Sequence, residues 1–353
     1  MKPLLPRKYR ATMSEDAEYA YMAAQQAFTQ AGIEDTYLRE NEVGIIFGND
    51  GNSHMHDYLT LMQQERDSHM LGPNAPFQSA TSSVTMNLST IFHLKGVNMC
   101  IGAACASSSH AIGLATMFIR QGTQDVILVG GFCSMDMKCD VVVDAIEAVS
   151  LRNDEPTKAS RPFDKDRDGM IPSGGAAALV LEEYEHAIAR GATILAEVCG
   201  YGFSSNGIED ISAPSADAEY IAMKRALDDA GILPSDIDYV NAHGTSTPIG
   251  DVEEAKALVR LFGENTKPYI SSTKSMTGHE MWMAGASEAV YSILMMQHGF
   301  VAPNINLQNK IDEAKGLNIV TDTVYTPIKT ILSNSSGMGG TNSALVLRAV
   351  SDQ

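Results

Sequence analysis

Met99-Cys100-Ile101-Gly102-Ala103-Ala104-Cys105-Ala106-Ser107-Ser108-Ser109-His110 is an apolar run that ends in small residues, presents a cysteine and passes directly into a helical pattern (Ile112, Leu114, Ala115, Phe118, Ile119). A strand over 96–104 that turns sharply into a helix ending near Arg120 sets Cys105 at a helix N-terminus. There the unpaired N–H groups and the positive end of the macrodipole favour a thiolate. Ala103, Ala104, Ala106 and Ser107 leave room for a substrate to approach the backbone. The logic is that of a nucleophile elbow, without the G-x-S-x-G pattern. A buried, inert thiol is the commoner fate of a cysteine, and on this stretch alone the two readings stand level.

Working outward, the surroundings of this strand and helix repeat. Gln25-Gln26-Ala27-Phe28-Thr29-Gln30-Ala31-Gly32-Ile33 is echoed by Lys224-Arg225-Ala226-Leu227-Asp228-Asp229-Ala230-Gly231-Ile232. Each ends a helix at a glycine, and each is followed by a strand, Val43–Gly48 and Tyr239–Ala242. Gly174-Gly175-Ala176-Ala177-Ala178-Leu179-Val180-Leu181 is echoed in turn by Gly339-Gly340-Thr341-Asn342-Ser343-Ala344-Leu345-Val346-Leu347. Either echo alone is a common string. Both in one order favour a duplicated α/β unit, with halves 1–190 and 191–353. The first half carries unpatterned insertions at 49–95 and 131–173. Its first helix starts at Ser14 as N-cap, and Val126–Gly130 is a short, wholly apolar strand of the kind buried in a parallel sheet. A helix over Glu183–Arg190 precedes the second copy, which opens with a strand over 194–201 and a helix over Ala216–Ala230.

The strand at 194–201 has no counterpart ahead of Ser14, where thirteen residues, two of them proline, stand. The first half therefore lacks its opening strand. If that strand is central, as in a doubly wound half, its loss leaves several buried backbone groups unpaired at about 1–3 kcal/mol each, against a stability margin of roughly 5–15 kcal/mol. The expectation is a filling segment, a partner's strand, or a start upstream of Met1, the last being favoured.

Composition narrows the function classes. The 353 residues, 44 % hydrophobic and 19 % charged, are ordinary for a globular protein with a large core. No apolar run is long enough to span a bilayer, and the N-terminus lacks a signal-peptide core. Five cysteines at no metal-like spacing argue for reduced thiols in a cytoplasm. A net charge of −18 argues against nucleic-acid binding, which needs a basic footprint.

Two further loops hold candidate chemistry. Asn241-Ala242-His243-Gly244-Thr245-Ser246-Thr247-Pro248 follows an apolar strand, and ligands in open α/β sheets bind beyond the carboxyl ends of strands. Lys274-Ser275-Met276-Thr277-Gly278-His279-Glu280 sets a histidine beside glycine, able to act as acid, base or oxyanion donor. Taken singly, a histidine in such a place is more often structural or exposed. Gly337-Met338-Gly339-Gly340 is a tight turn offering backbone N–H groups rather than a phosphate loop, since the Walker lysine is missing.

Together these residues resemble the β-ketoacyl-[acyl-carrier-protein] synthases of the thiolase superfamily, particularly the type I bacterial enzymes. The matching blocks are Ala104-Cys105-Ala106-Ser107-Ser108, Arg161-Pro162-Phe163-Asp164 with Arg167-Asp168-Gly169, His243-Gly244-Thr245-Ser246-Thr247-Pro248, Lys274-Ser275-Met276-Thr277-Gly278-His279, and Asn334-Ser335 with Gly339-Gly340-Thr341-Asn342, in family order from about residue 7 to the end. The resemblance implies a duplicated, five-layered αβαβα thiolase-like fold, and a homodimer or heterodimer paired along the strand before the cysteine. It implies an acyltransferase in fatty-acid or related polyketide or polyene synthesis, working with acyl carrier protein. Cys105 would take the acyl chain, and the N–H groups of Cys105 and Met338 would form the oxyanion hole. His243 and His279 would serve the malonyl half-reaction, so that losing either stops condensation but leaves self-acylation. Lys274 would hold His279, with Glu288 as its support, and Thr245 and Thr247 would bind the pantetheine arm. No metal or dissociable cofactor is implied, because phosphopantetheine arrives on the carrier protein.

The sequence departs from that pattern in three places. Ser336 and Met338 stand where the family has phenylalanines, the second of which gates the acyl pocket. Trp282 and Met283 interrupt a run of small residues after His279, and the opening strand is missing. Arg7, Lys8 and Arg10 form a local basic patch suited to docking an acidic carrier protein against the net negative charge; a solvated, functionless cluster is the competing reading. A non-catalytic or chain-length-determining partner subunit is the alternative function, opposed by the retained cysteine. A thiolase acting on coenzyme A is opposed by the two-histidine site.

Overall fold

The computed structural model describes residues 5–51, 53–134, 141 and 143–350. Two mixed sheets carry the architecture. In the first, β1 (Val43–Gly48) lies between parallel neighbours β2 (Asn98–Ile101) and β3 (Val126–Cys133), and β4 (Gly175–Glu182) runs antiparallel to β3, giving the order β2-β1-β3-β4. In the second, β6 (Tyr239–Asn241) lies between parallel β7 (Tyr269–Ser271) and β8 (Thr330–Gly337). β9 (Thr341–Arg348) runs antiparallel to β8, and β5 (Glu197–Ser205) runs antiparallel to β9, giving β5-β9-β8-β6-β7. The two orders superpose strand for strand except at β5, which makes the duplication a matter of topology as well as sequence.

Strand alternation sorts the apolar residues into layers. Ile45 and Phe47 of β1, with Val126 and Leu128 of β3, face α1 (Glu15–Gln30) and α2 (Ser83–Phe92). Ile46, Ile127 and Val129 face the opposite way, onto α3 (Ser107–Arg120) and α6 (Ala284–His298), which also pack against Tyr239, Ile331 and Leu345 of the second sheet. Val240, Leu332 and Val346 turn outward to α4 (Ala216–Ala230) and α5 (Gly250–Phe262). The layers are helix, sheet, helix, sheet, helix, as the thiolase-like reading requires. Gly48 lets α3 lie against β1, since a Cβ there would meet the Ser108 nitrogen at 2.2 Å.

Several expectations are revised. The missing strand is not central: its counterpart β5 is an edge strand beside β9, so what the first half lacks is a neighbour on the outer edge of β4. The cost is one open edge, without a gap inside the sheet. Among the described residues no second strand pairs with β4, and that edge borders a groove of about 1160 Å³, lined also by α1, α3 and the 192–198 segment. Ala178, Leu179 and Val180 are consequently half-buried, whereas the matching stretch of β9 is buried. Ser14 is the N-cap of α1 by position, but its hydroxyl makes no capping bond. The unpatterned segment 49–95 contains helices, Ser53–Glu65, Ala75–Ser79 and α2. α2 escaped the pattern because it buries polar residues: Asn87 Nδ2 donates to Ser83 O at 2.8 Å, and Thr12 Oγ1 donates to Asn87 Oδ1 at 2.6 Å. The second insertion, 131–173, includes residues 135–140 and 142, which lie outside the described residues.

Candidate active site

Cys105 sits in a single 3₁₀ turn, Ala104–Ala106, between β2 and the first residue of α3. The turn is strained at Ala104, whose φ of 45° is left-handed for a residue with a side chain. Three contacts hold it there. The Ala104 N–H donates to Asp50 Oδ2 at 2.7 Å, the Ala103 N–H donates to Ser107 Oγ at 2.8 Å, and that hydroxyl donates to Ala104 O at 2.6 Å. The elbow expected from the sequence is present. The thiolate expected from the helix terminus is not: burial pushes the thiol up to about 11, outweighing the Lys274 charge and the N–H groups of Met338 and Cys105 that lower it. Desolvation of a whole thiolate exceeds what one turn of dipole returns.

The N–H of Met338 reaches the sulfur because β8 and β9 form a tight hairpin over the elbow. Gly339 and Gly340 take φ values of 82° and 86°, and a Cβ on Gly337 would meet Ala103 O at 2.6 Å. Here the glycines are required by both conformation and approach. The two N–H groups assigned to an oxyanion hole, those of Cys105 and Met338, thus point at the same sulfur.

The histidines come from beyond the carboxyl ends of β6 and β7. His279 Nε2 lies 3.0 Å from Cys105 Sγ, and the rings of His243 and His279 are 5.3 Å apart, edge to face. One ligand atom from each of Cys105, His243 and His279 lies within 4.8 Å of the others. Such a set of one thiol and two imidazoles is also one that zinc accepts. Both imidazoles are held well below the ordinary histidine range, first by burial and then by the Lys274 charge, so both are neutral at pH 7.

Lys274, almost fully buried, pairs with Glu288, which is fully buried. Burial pushes the Glu288 carboxyl up to about 7, against the pull of Lys274. Lys274 bonds to Glu288, the partner implied for it by the resemblance; the Nδ1 of His279 has no partner among the described residues, and Lys274 acts on both imidazoles through its charge.

The remaining candidates fall into place unevenly. Thr245 Oγ1 and Thr247 Oγ1 are 3.0 Å apart in the His243 loop. Met338 is 47 % exposed at the hairpin tip, while Ser336 is half-buried and hydrogen-bonds to the buried Glu219. Arg7 and Lys8 are exposed on a helical turn away from the elbow's own strand and helix; Arg10 turns back, its Nε donating to Leu5 O at 3.1 Å.

Sequence reasoning missed the carboxylates that shape the loop. Glu254 accepts from the N–H groups of His243 and Gly244, each at 2.6 Å, and from Asn334 Nδ2 at 2.8 Å. Asp251 accepts from Ser246 N at 3.0 Å and Phe163 N at 2.7 Å. Asp164 accepts from Arg161 Nε at 3.0 Å and from the N–H groups of Gln308 and Asn309. The Arg161–Asp164 block therefore fastens the 131–173 segment to the His243 loop. The available signal was two acids, Asp251 and Glu254, three apart at the start of α5 and so on one side of the helix.

A nucleophilic thiol on an elbow, two neutral imidazoles from the second half and two converging N–H groups, in a duplicated αβαβα frame, define a thiolase-like condensing enzyme. Family models described as beta-ketoacyl synthase, N-terminal domain, and beta-ketoacyl synthase, C-terminal domain, match residues 4–187 and 195–308. The 3-oxoacyl-[acyl-carrier-protein] synthase 1 of Escherichia coli K12 is 42 % identical over 99 % of this chain and 86 % of the relative. The crystal structure of a beta-ketoacyl synthase from Burkholderia phymatum aligns with a TM-score of 0.93 at 37 % identity, over 98 % of this chain and 85 % of that one. A type II polyketide ketosynthase solved in complex with its acyl-carrier protein aligns with a TM-score of 0.89 at 30 % identity, over 96 % and 88 %. The chain belongs to the β-ketoacyl synthase family. Its activity is that of an acyltransferase-type condensing enzyme, a 3-oxoacyl-[acyl-carrier-protein] synthase, and the non-catalytic alternative is not favoured. Among the described residues no helix is long and apolar enough to cross a membrane.

Proposed function

We propose that Cys105 accepts an acyl chain from acyl carrier protein as a thioester, and that His243 and His279 then receive a malonyl thioester carbonyl. As carbon dioxide leaves, the electron pair of the breaking C–C bond passes into an enolate whose oxygen the two imidazoles stabilise. The carbanion attacks the acyl-Cys105 carbonyl, the N–H groups of Cys105 and Met338 take the charge of the tetrahedral adduct, and its collapse breaks the C–S bond; the expelled Cys105 thiolate takes a proton from water, and the 3-oxoacyl product stays on the carrier. Neutral imidazoles suit this role: they donate without surrendering a proton to the medium, and donors aimed at developing charge act most strongly in a dry site. The observation that carries the reading is the convergence of the Cys105, His243 and His279 ligand atoms within 4.8 Å.

The same contact supports a second duty for His279. With the thiol pushed up to about 11, acylation needs a base, and His279 Nε2 at 3.0 Å is placed to take the proton as sulfur attacks and to return it to the pantetheine thiolate that leaves as the old C–S bond breaks. Thr245 and Thr247 would line the pantetheine path, and neither a resident metal nor a dissociable cofactor is needed. The exposed outer edge of β2 supports pairing along that strand with a like or related subunit. The reduced cysteines among the described residues fit a cytoplasmic setting.

Incubation with isotope-labelled acyl carrier protein tests the core of the reading. Label is expected on Cys105 and nowhere else, and Cys105→Ala is expected to lose condensation. Label retained by that variant overturns the assignment.

A further inference from the structure

The hairpin that carries the Met338 N–H has no covalent tie to the elbow that carries Cys105, yet an oxyanion hole tolerates little relative motion between its donors. What joins the two is His110, one and a half turns beyond Cys105 on α3. Its Nδ1 lies 2.6 Å from the Tyr201 hydroxyl of β5, and its Nε2 lies 2.9 Å from Thr341 Oγ1. Thr341 is the first residue of β9 and pairs with Gly337, closing the hairpin whose tip is Met338. One residue earlier on the same helix, Ser109 Oγ meets Ser343 Oγ at 2.7 Å.

We propose that His110 is a positioning residue of the oxyanion hole, fixing the distance between helix α3 and the 337–341 turn by bridging Tyr201 and Thr341. The inference rests on the reading of Cys105 and Met338 given above. A bridging imidazole uses both nitrogens, one as donor and one as acceptor, so it must be neutral. Burial secures this by holding the group down at about 4. The ring is also steered by Tyr201, which meets it edge-on at 6.0 Å between centroids and lies flush against Gly113 of the same helix, where a Cβ would come within 2.2 Å of the tyrosine ring. On its far side the turn is met by Asn206, whose N–H donates to Gly340 O at 2.8 Å. His110 is thus the clamp on the Cys105 side. It touches no reacting atom, and its effect passes through the position of the Met338 N–H.

Two reactions of the same thiol separate this role from general support of the fold. Transfer of an acyl group from an acyl-pantetheine thioester passes through an oxyanion, whereas alkylation by iodoacetamide displaces iodide and forms none. Removal of one hole donor costs about 10²–10³ in rate, and a displacement of an ångström costs up to about 10². His110→Ala and Thr341→Val are therefore expected to slow acylation of Cys105 about 10- to 100-fold, with alkylation at pH 7 slowed far less, because the Met338 N–H acts on the thiol behind burial and the Lys274 charge. His110→Gln, which restores a donor toward Thr341, is expected to recover part of the acylation rate. Thr341→Val nearly preserves side-chain volume and keeps the test open if His110→Ala does not fold. Equal losses in both reactions, or no loss in acylation, overturn the inference. A wild-type protein that is alkylated at Cys105 but never acylated there overturns the reading of the hole itself, an outcome distinct from either.

Discussion

Replacing His279 by alanine should slow acylation as well as condensation, where the family resemblance implies a loss of condensation alone. A thiol pushed up to about 11 is ionised in only about one molecule in 10⁴ at pH 7. Of the two imidazoles, the one bonded to the sulfur is that of His279, at 3.0 Å. A positioned general base contributes about 10²–10⁴ in rate, so His279→Ala should slow self-acylation by that factor, and condensation at least as much. His243→Ala, by contrast, should leave self-acylation within a few-fold of wild type and lose about 10²–10³ in condensation, the worth of one oxyanion donor. The assay is intact-protein mass spectrometry on samples quenched after mixing with acyl-pantetheine thioester, alongside 3-oxoacyl product formation from malonyl carrier protein. The His279→Ala defect should shrink as the pH approaches 11, because the thiol then ionises unaided. Wild-type acylation by His279→Ala at pH 7 would refute the reasoning and restore the division in which both histidines serve only the malonyl step.

Three further outcomes are expected. Because the Cys105 pKa is raised, the neutral thiol dominates below it, so iodoacetamide alkylation should climb about tenfold per pH unit from pH 7 to 10; a plateau below pH 8 would show a stabilised thiolate. As the gate that the family resemblance implies, Ser336 and Met338 would be smaller and more flexible than two aromatic rings. Met338→Phe and Ser336→Phe should therefore lower kcat/KM for long or rigid acyl primers about tenfold or more relative to short ones, and an unchanged primer profile would locate selection elsewhere. Arg7→Glu with Lys8→Glu should raise KM for carrier-bound substrate about tenfold through lost electrostatic steering, while short pantetheine thioesters are unaffected; equal effects on both would remove these residues from docking.

Much of this protein was legible in its sequence because the signals are local. The apolar, small-residue run up to Cys105, the paired Ala-Gly-Ile helix ends and the two Ala-Leu-Val-Leu strands each record a backbone requirement within a few residues, and β1 and α4 fall where periodicity puts them. The His243 loop was readable as a strand end for the same reason. Tertiary structure decided what depends on distant partners. The edge position of the missing strand follows from the pairing of β5 with β9, between segments far apart in sequence. The state of the Cys105 thiol turned on burial, because the desolvation of a buried thiolate outweighs what the N–H groups and the Lys274 charge return. Lys274 pairs with Glu288 as the resemblance implies, and its effect on the imidazoles passes through its charge. The roles of Glu254, Asp251 and His110 were decided by the fold: a buried polar side chain is defined by the backbone and hydroxyl groups that meet it, and those arrive only when both halves fold together.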